Sequence, residues 1–167
     1  GFSTSTTRST SGDGSMTRLL ATTRSSSGMS RVGSPSPRTT AETLYAAFAQ
    51  GAIEVVLELL DPDITWELVG PAEIPYFGRY EGVTEVRRFF DLLGTHCVVE
   101  AFEVNHLTET ATGVVAEGFE RGRFAGHSDT YDMRWCHVMT MSQGHITTFT
   151  DYLDTAPMLA AWRSREP

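Results

Sequence analysis

Two residues late in the chain combine acid/base chemistry with apolar neighbours. In HITTFTDYLD, residues 145 to 154, Asp151 falls between Phe149 and Leu153 on one side of a strand-like alternation. In the preceding segment, 128 to 141, Tyr131, Met133, Trp135, His137 and Met139 share one parity, and Asp132, Arg134, Cys136, Val138 and Thr140 share the other. The odd set is more apolar and predicts the inner face of a sheet. Opposed residues of an antiparallel pair point to the same side. A hairpin pairing 141 with 145 across Ser142, Gln143 and Gly144 therefore turns both odd sets inward, with Gly144 in the left-handed position. That register sets His137 opposite Phe149 and Trp135 opposite Asp151, and makes His137 and Asp151 diagonal neighbours about 7 Å apart at the backbone. A two-residue loop would send them to opposite faces. A carboxylate and an imidazole meeting among Trp135, Phe149, Met133 and Met139 form a partly desolvated acid/base pair. The structural alternative is an Asp bonding a backbone amide or a dimer partner, beside a core histidine with satisfied nitrogens.

Composition removes whole classes of chemistry. All 13 basic residues are Arg, so Schiff-base catalysis and a phosphate loop of the GKS kind are excluded. Five of those Arg and one of the 21 acids precede residue 40, so the rest carries 8 basic and 20 acidic residues, a net charge of about −12. Such a charge repels phosphate backbones and argues against a nucleic-acid partner. Cys97 and Cys136 are too few for a zinc quartet and read as thiols in a reducing, cytoplasmic compartment. His96, His106, His127, His137 and His145 show no HExxH-like spacing, so no metal is expected. No run approaches the roughly 18 apolar residues of a membrane helix, so a soluble protein without a membrane partner is expected.

The elements that must position the pair come in a clear order. Residues 1–38, rich in Ser, Thr, Gly and Arg, predict a disordered leader, either a transit peptide or sequence upstream of a start at Met16 or Met29, the second being preferred. Thr39 and Glu42 fit a capping box opening a helix whose face is Leu44, Tyr45, Phe48 and Ala49. A second helix, 52 to 60, runs to Asp61-Pro62. DITWELV, 63 to 69, alternates as a strand, and GPAEIPYFGRYEG reads as a loop. A third helix, 84 to 93, is closed by Gly94, and strands follow at 96 to 107, 113 to 123, 128 to 141 and 145 to 153, with a short helix from about Ala156 to Trp162. This pattern predicts an α+β domain over 39–167 in which a helical hairpin and a third helix pack on a curved, mostly antiparallel sheet.

The helical hairpin, DITWELV, PYFGRYEG followed by the VRRFF helix, and above all YDMRWCHVMTMSQGHITTFTDYLDTA make residues 40 to 162 resemble a SnoaL-like protein. The superfamily is the one shared by nuclear transport factor two and ketosteroid isomerase. The resemblance implies a cone-shaped barrel, a homodimer through the outer sheet face (Asp132, Arg134, Thr140, Thr148 and Thr150) and a small apolar ligand. The fold hosts isomerases, cyclases, dehydratases, epoxide hydrolases and binders, so it does not name a reaction. The position of the ketosteroid isomerase base falls on Leu68, beside Glu67. The carboxylates of limonene-epoxide-type hydrolases fall on Glu120 and Asp151, but their Arg falls on Gly118, their Asn on Leu68 and a Tyr on Trp66. The His and Asp of SnoaL-type polyketide cyclases fall on His137 and Asp151. By that resemblance Asp151 is a base acting α to a carbonyl and His137 steadies the enolate oxygen, with no cofactor. Trp66, Tyr76, Phe77, Phe89, Phe90, Met133, Trp135 and Phe149 are the expected wall for a flat apolar substrate. Three readings follow: a lyase, isomerase or cyclase; an epoxide hydrolase using Glu120 and Asp151; or a non-catalytic binding or dimerisation module.

Overall fold

A computed structural model of the chain describes residues 34–164. The leader expected over 1–38 therefore lies outside the described residues except for its last five. Of those five, Ser36 caps the first helix, α1, Pro37–Ala49, and Pro37 and Arg38 open it. Its N-cap is Ser36, whose side chain accepts from the Thr39 amide, not the expected Thr39. Pro37 at the first helical position, with φ already set for a helix and no N–H to satisfy, moves the start back by one turn.

Helix α2, Ile53–Glu58, is shorter than the expected 52–60, because strand β1, Leu60–Val69, takes over before Asp61-Pro62. The proline falls where the pairing of β1 shifts between Leu60 and Thr65, an irregularity that tolerates a missing donor. The presumed loop at 70 to 82 hides a four-residue strand, β2, Gly78–Glu81, antiparallel to β1. Helix α3, Gly82–His96, runs past Gly94 and buries Val86, Phe89 and Phe90. The remaining elements are β3, Cys97–Glu109, β4, Gly113–Phe124, β5, Thr130–Ser142, β6, His145–Leu153, and α4, Thr155–Arg163.

The six strands form one curved sheet in the order β2-β1-β6-β5-β4-β3, and only the β1/β6 pair is parallel. Its inner face collects the apolar parity of each strand: Tyr131, Met133, Trp135, His137 and Met139 of β5 are all buried, as are Val114, Ala116, Glu120 and Phe124 of β4. Helices α1 and α3 cover this face with Leu44, Tyr45, Phe89 and Phe90. The architecture is α+β, with helices against a mostly antiparallel sheet.

The β5–β6 hairpin departs from the expected register. Its turn has two residues, Gln143 and Gly144, both left-handed at φ 50 and 86, and it pairs Ser142 with His145. That is the loop length that separates the two parities. A bulge corrects it: Met141 pairs with Ile146 but Thr140 with Thr148, so Thr147 is an extra residue on β6. The Thr140 hydroxyl takes both neighbours, Thr147 at 2.9 Å and Thr148 at 2.6 Å. Beyond the bulge, Met139 faces Phe149 and Trp135 faces Leu153, not His137 with Phe149 and Trp135 with Asp151 as the three-residue loop predicted.

Candidate active site

The bulge makes His137 and Asp151 direct cross-strand partners. Both are buried, at 6% and 8% exposure. Nε2 of His137 is 3.2 Å from Oδ1 of Asp151, but the approach lies off the line of a hydrogen bond and Oδ1 has no aligned donor. On its other side, Nδ1 of His137 is 2.9 Å from the Tyr45 hydroxyl. Burial first, and then the charge of Asp151, raises the Tyr45 hydroxyl far above the usual phenol range. Tyr45 therefore stays protonated and is able to donate to Nδ1; in that tautomer the imidazole proton lies on Nε2, facing the carboxylate. Trp135 stacks on His137 at 4.1 Å between ring centroids, and Phe102 stacks on Trp135 at 4.9 Å, so the imidazole plane is fixed.

Tyr45 and Phe102 did not emerge as site residues from the sequence. Tyr45 was visible only as one aromatic on an amphipathic helix face, a position more often plain core. What marks it is its hydroxyl, which a buried tyrosine must partner.

Tyr45, His137 and Asp151 line one cavity of about 70 Å³ between the helices and the inner sheet face. Of the expected substrate-binding residues, Tyr76, Phe90, Met133, Trp135 and Phe149 line it, as does Phe89. Trp66 and Phe77 do not. Trp66 stacks flat on Phe149, 3.7 Å between centroids and 4° between planes, and so backs the wall. Phe77 packs on Gly70, where an added Cβ would meet its ring at 2.0 Å. Alternation assigns a side chain to a face of the sheet and says nothing of its depth behind other side chains.

The second predicted carboxylate, Glu120, also faces inward onto this cavity and is 8% exposed. Tyr131 donates its hydroxyl to Oε1 at 3.1 Å. Burial raises the Glu120 carboxyl to about 7, against the lowering effect of the Tyr131 hydrogen bond, with a smaller push from Asp151. Gly118, where hydrolase relatives carry an Arg, has no room for a side chain: a Cβ would sit 2.0 Å from the Trp135 ring and 2.1 Å from the Glu103 carbonyl. No Arg lines the cavity among the described residues.

Residues 41–149 match the SnoaL-like domain model. The chain belongs to the SnoaL-like domain family. No curated protein matches it in sequence. Among solved structures, this SnoaL-like domain superposes on an NTF2-like protein of unknown function from Burkholderia pseudomallei, with TM-score 0.70 and 24% identity over 77% of this chain and 98% of that one. TerC, co-crystallised with polyporic acid, matches at TM-score 0.66 and 24% identity, over 77% of this chain and 100% of its own. An LEH-like epoxide hydrolase of M. tuberculosis matches at 0.59 and 20%, over 75% and 88%. These likenesses share the fold with the SnoaL-like domain described above.

Leu68, the position on which the resemblance set the ketosteroid isomerase base, is the parallel-strand partner of Asp151. Leu68 and Asp151, on neighbouring strands, both line the cavity. Among the described residues no cluster of three or more His, Cys, Asp or Glu is placed to hold a metal ion, and no helix is long and apolar enough to cross a membrane.

Proposed function

We propose that this SnoaL-like domain is a cofactor-independent lyase, isomerase or cyclase that moves a proton α to the carbonyl of a small apolar, polyketide- or steroid-like compound. The observation that carries this reading is the buried His137/Asp151 pair on the wall of a single cavity. Asp151 takes the proton from carbon, and the electron pair of that C–H bond moves onto the carbonyl oxygen as an enolate. The Nε2–H of His137, which is not aligned on Asp151, is left to donate to that oxygen, with Tyr45 donating to Nδ1 on the other side of the ring. Protonated Asp151 then returns the proton to another carbon; in a lyase the enolate pair instead expels a β-leaving group, which takes that proton, and in a cyclase the enolate carbon adds to a second carbonyl, whose oxygen takes it. The aromatic wall of Phe90, Trp135 and Phe149 excludes water from the enolate. Polyporic acid bound to TerC supports oxygenated ring compounds as the class to screen.

The test is Asp151→Asn, which keeps the shape and removes the base. Turnover of a ketone found by screening such compounds should fall by about 10²- to 10⁴-fold; full retained activity overturns the mechanism. Hydrolysis of an epoxide by water held between Glu120 and Asp151 is the second reading, favoured by both carboxyl groups lining one cavity. Gly118, closed off by Trp135, weighs against it. Epoxide opening abolished by Glu120→Gln, with no ketone turned over, would select the hydrolase. Absence of both reactions beside tight ligand binding would select a binder. A homodimer through the outer face, with Asp132 paired to Arg121 and Thr140 to Thr148, belongs to the same proposal and is checked by light scattering. Free Cys97 and Cys136 fit a reducing, cytoplasmic compartment.

A further inference from the structure

Away from the His137/Asp151 pair, the same cavity carries a second set of polar groups that the proton-transfer scheme does not use. Tyr76 lines it, is 2% exposed, and has a hydroxyl that lies beside the Tyr131 hydroxyl and the Cys97 thiol without an aligned hydrogen bond to either. Its backbone is anchored by the Tyr80 hydroxyl, which donates to the Tyr76 carbonyl at 3.0 Å. Glu120 lines the cavity too, with one carboxyl oxygen engaged by Tyr131 at 3.1 Å. Tyr131 is held in turn by Cys97, whose sulfur lies 3.1 Å from its hydroxyl. Gly122 makes room for this arrangement, since a Cβ there would meet the Tyr131 hydroxyl at 2.6 Å. Tyr131 is committed to Glu120, so the Tyr76 hydroxyl and the other oxygen of Glu120 are the groups left for a ligand.

The two polar ends are separate. Glu120 is paired with Met133 on β5, and His137 lies four residues further along that strand. At about 3.3 Å per residue this is about 13 Å at the backbone. Between the ends the wall is apolar, with Phe89, Phe90, Met133 and Phe149. A buried hydroxyl without a partner is disfavoured, and a ligand oxygen placed against it removes that cost.

The geometry points to Tyr76 and Glu120 as a second polar site, which takes a hydroxyl or carbonyl oxygen at the end of the ligand remote from His137. The substrate class narrows from apolar carbonyl compounds to ring compounds oxygenated at both ends. The inference rests on the proposed use of the His137/Asp151 cavity. Burial keeps Glu120 largely protonated below about pH 7, where its free oxygen also donates.

The test uses two fluorescent probes on the full chain, 2-naphthol with one oxygen and 2,6-dihydroxynaphthalene with one at each end. Wild-type protein should bind the diol about 3- to 10-fold more tightly, the value of one buried hydrogen bond. Tyr76→Phe should abolish that preference, weakening the diol more than it weakens 2-naphthol. Asp151→Asn should weaken both probes alike. If both probes bind equally and Asp151→Asn weakens them, the second site is wrong and the cavity reading stands. A preference for the diol that survives both Tyr76→Phe and Glu120→Gln also overturns the second site. If neither probe binds wild type, the ligand cavity itself falls, and this inference with it.

Discussion

Replacing Glu120 by Gln keeps the side chain's length and leaves a carbonyl to accept from Tyr131, but removes the titration. In the folded chain the carboxyl is raised from 4.5 to about 7, chiefly by burial. A raised carboxyl binds its proton more tightly folded than unfolded. Its contribution to stability is therefore fully present below pH 4.5, is lost as pH climbs through about 7, and is flat above that. With each unit of separation worth about 1.4 kcal/mol, the loss between about pH 5 and pH 8 is roughly 2 to 3 kcal/mol. Wild-type protein should lose that much relative to Glu120→Gln across the interval, because every other ionisable group is common to both chains. The assay is urea unfolding of both proteins at the two pH values and one protein concentration, with stability extrapolated to water. Parallel pH dependence of the two chains would refute the buried, proton-binding Glu120, and a wild-type chain that gains stability relative to Glu120→Gln as pH rises would refute its sign.

Tyr45→Phe keeps the ring stacked against Trp135 at 5.9 Å but strands Nδ1 of His137, so it should cost about 1 to 3 kcal/mol in urea unfolding at unchanged m-value. In a turnover assay the same variant should lose activity together with stability, since the His137 tautomer is no longer set. Gly118→Ala forces a Cβ to within 2.0 Å of the Trp135 ring and 2.1 Å of a backbone oxygen, and overpacking of this kind lowers stability by about 1 to 3 kcal/mol in thermal or urea melts.

The class of fold and the inner parity of β5 were legible because alternation over 13 residues overrides local noise. A four-residue strand such as Gly78–Glu81 carries no such period, and within a Gly- and Pro-marked stretch it is invisible until β1 supplies its partner. The helix start at Ser36 was hidden because the Ser-rich leader composition runs into it without a break. Trp66 and Phe77 were assigned to the pocket by chemical type, and packing order put Phe149 in front of one and Gly70 against the other.

The meeting of His137 and Asp151 was expected from the apolar parity of both strands, through a hairpin loop that does not exist. Parity is a global demand: Phe149, Asp151 and Leu153 must face the helices or the sheet loses its inner layer. The turn is a local choice, and Gln143-Gly144, with both residues left-handed, favours two residues over three. Both are satisfied only if one strand gains a residue between the turn and the site, and Thr147 is that residue. The bulge also changes the chemistry, since it turns a diagonal pair into directly opposed side chains and brings Nε2 within 3.2 Å of the carboxylate. A threonine that does not line the cavity thus sets the distance between the two groups on which the proposed proton transfer depends.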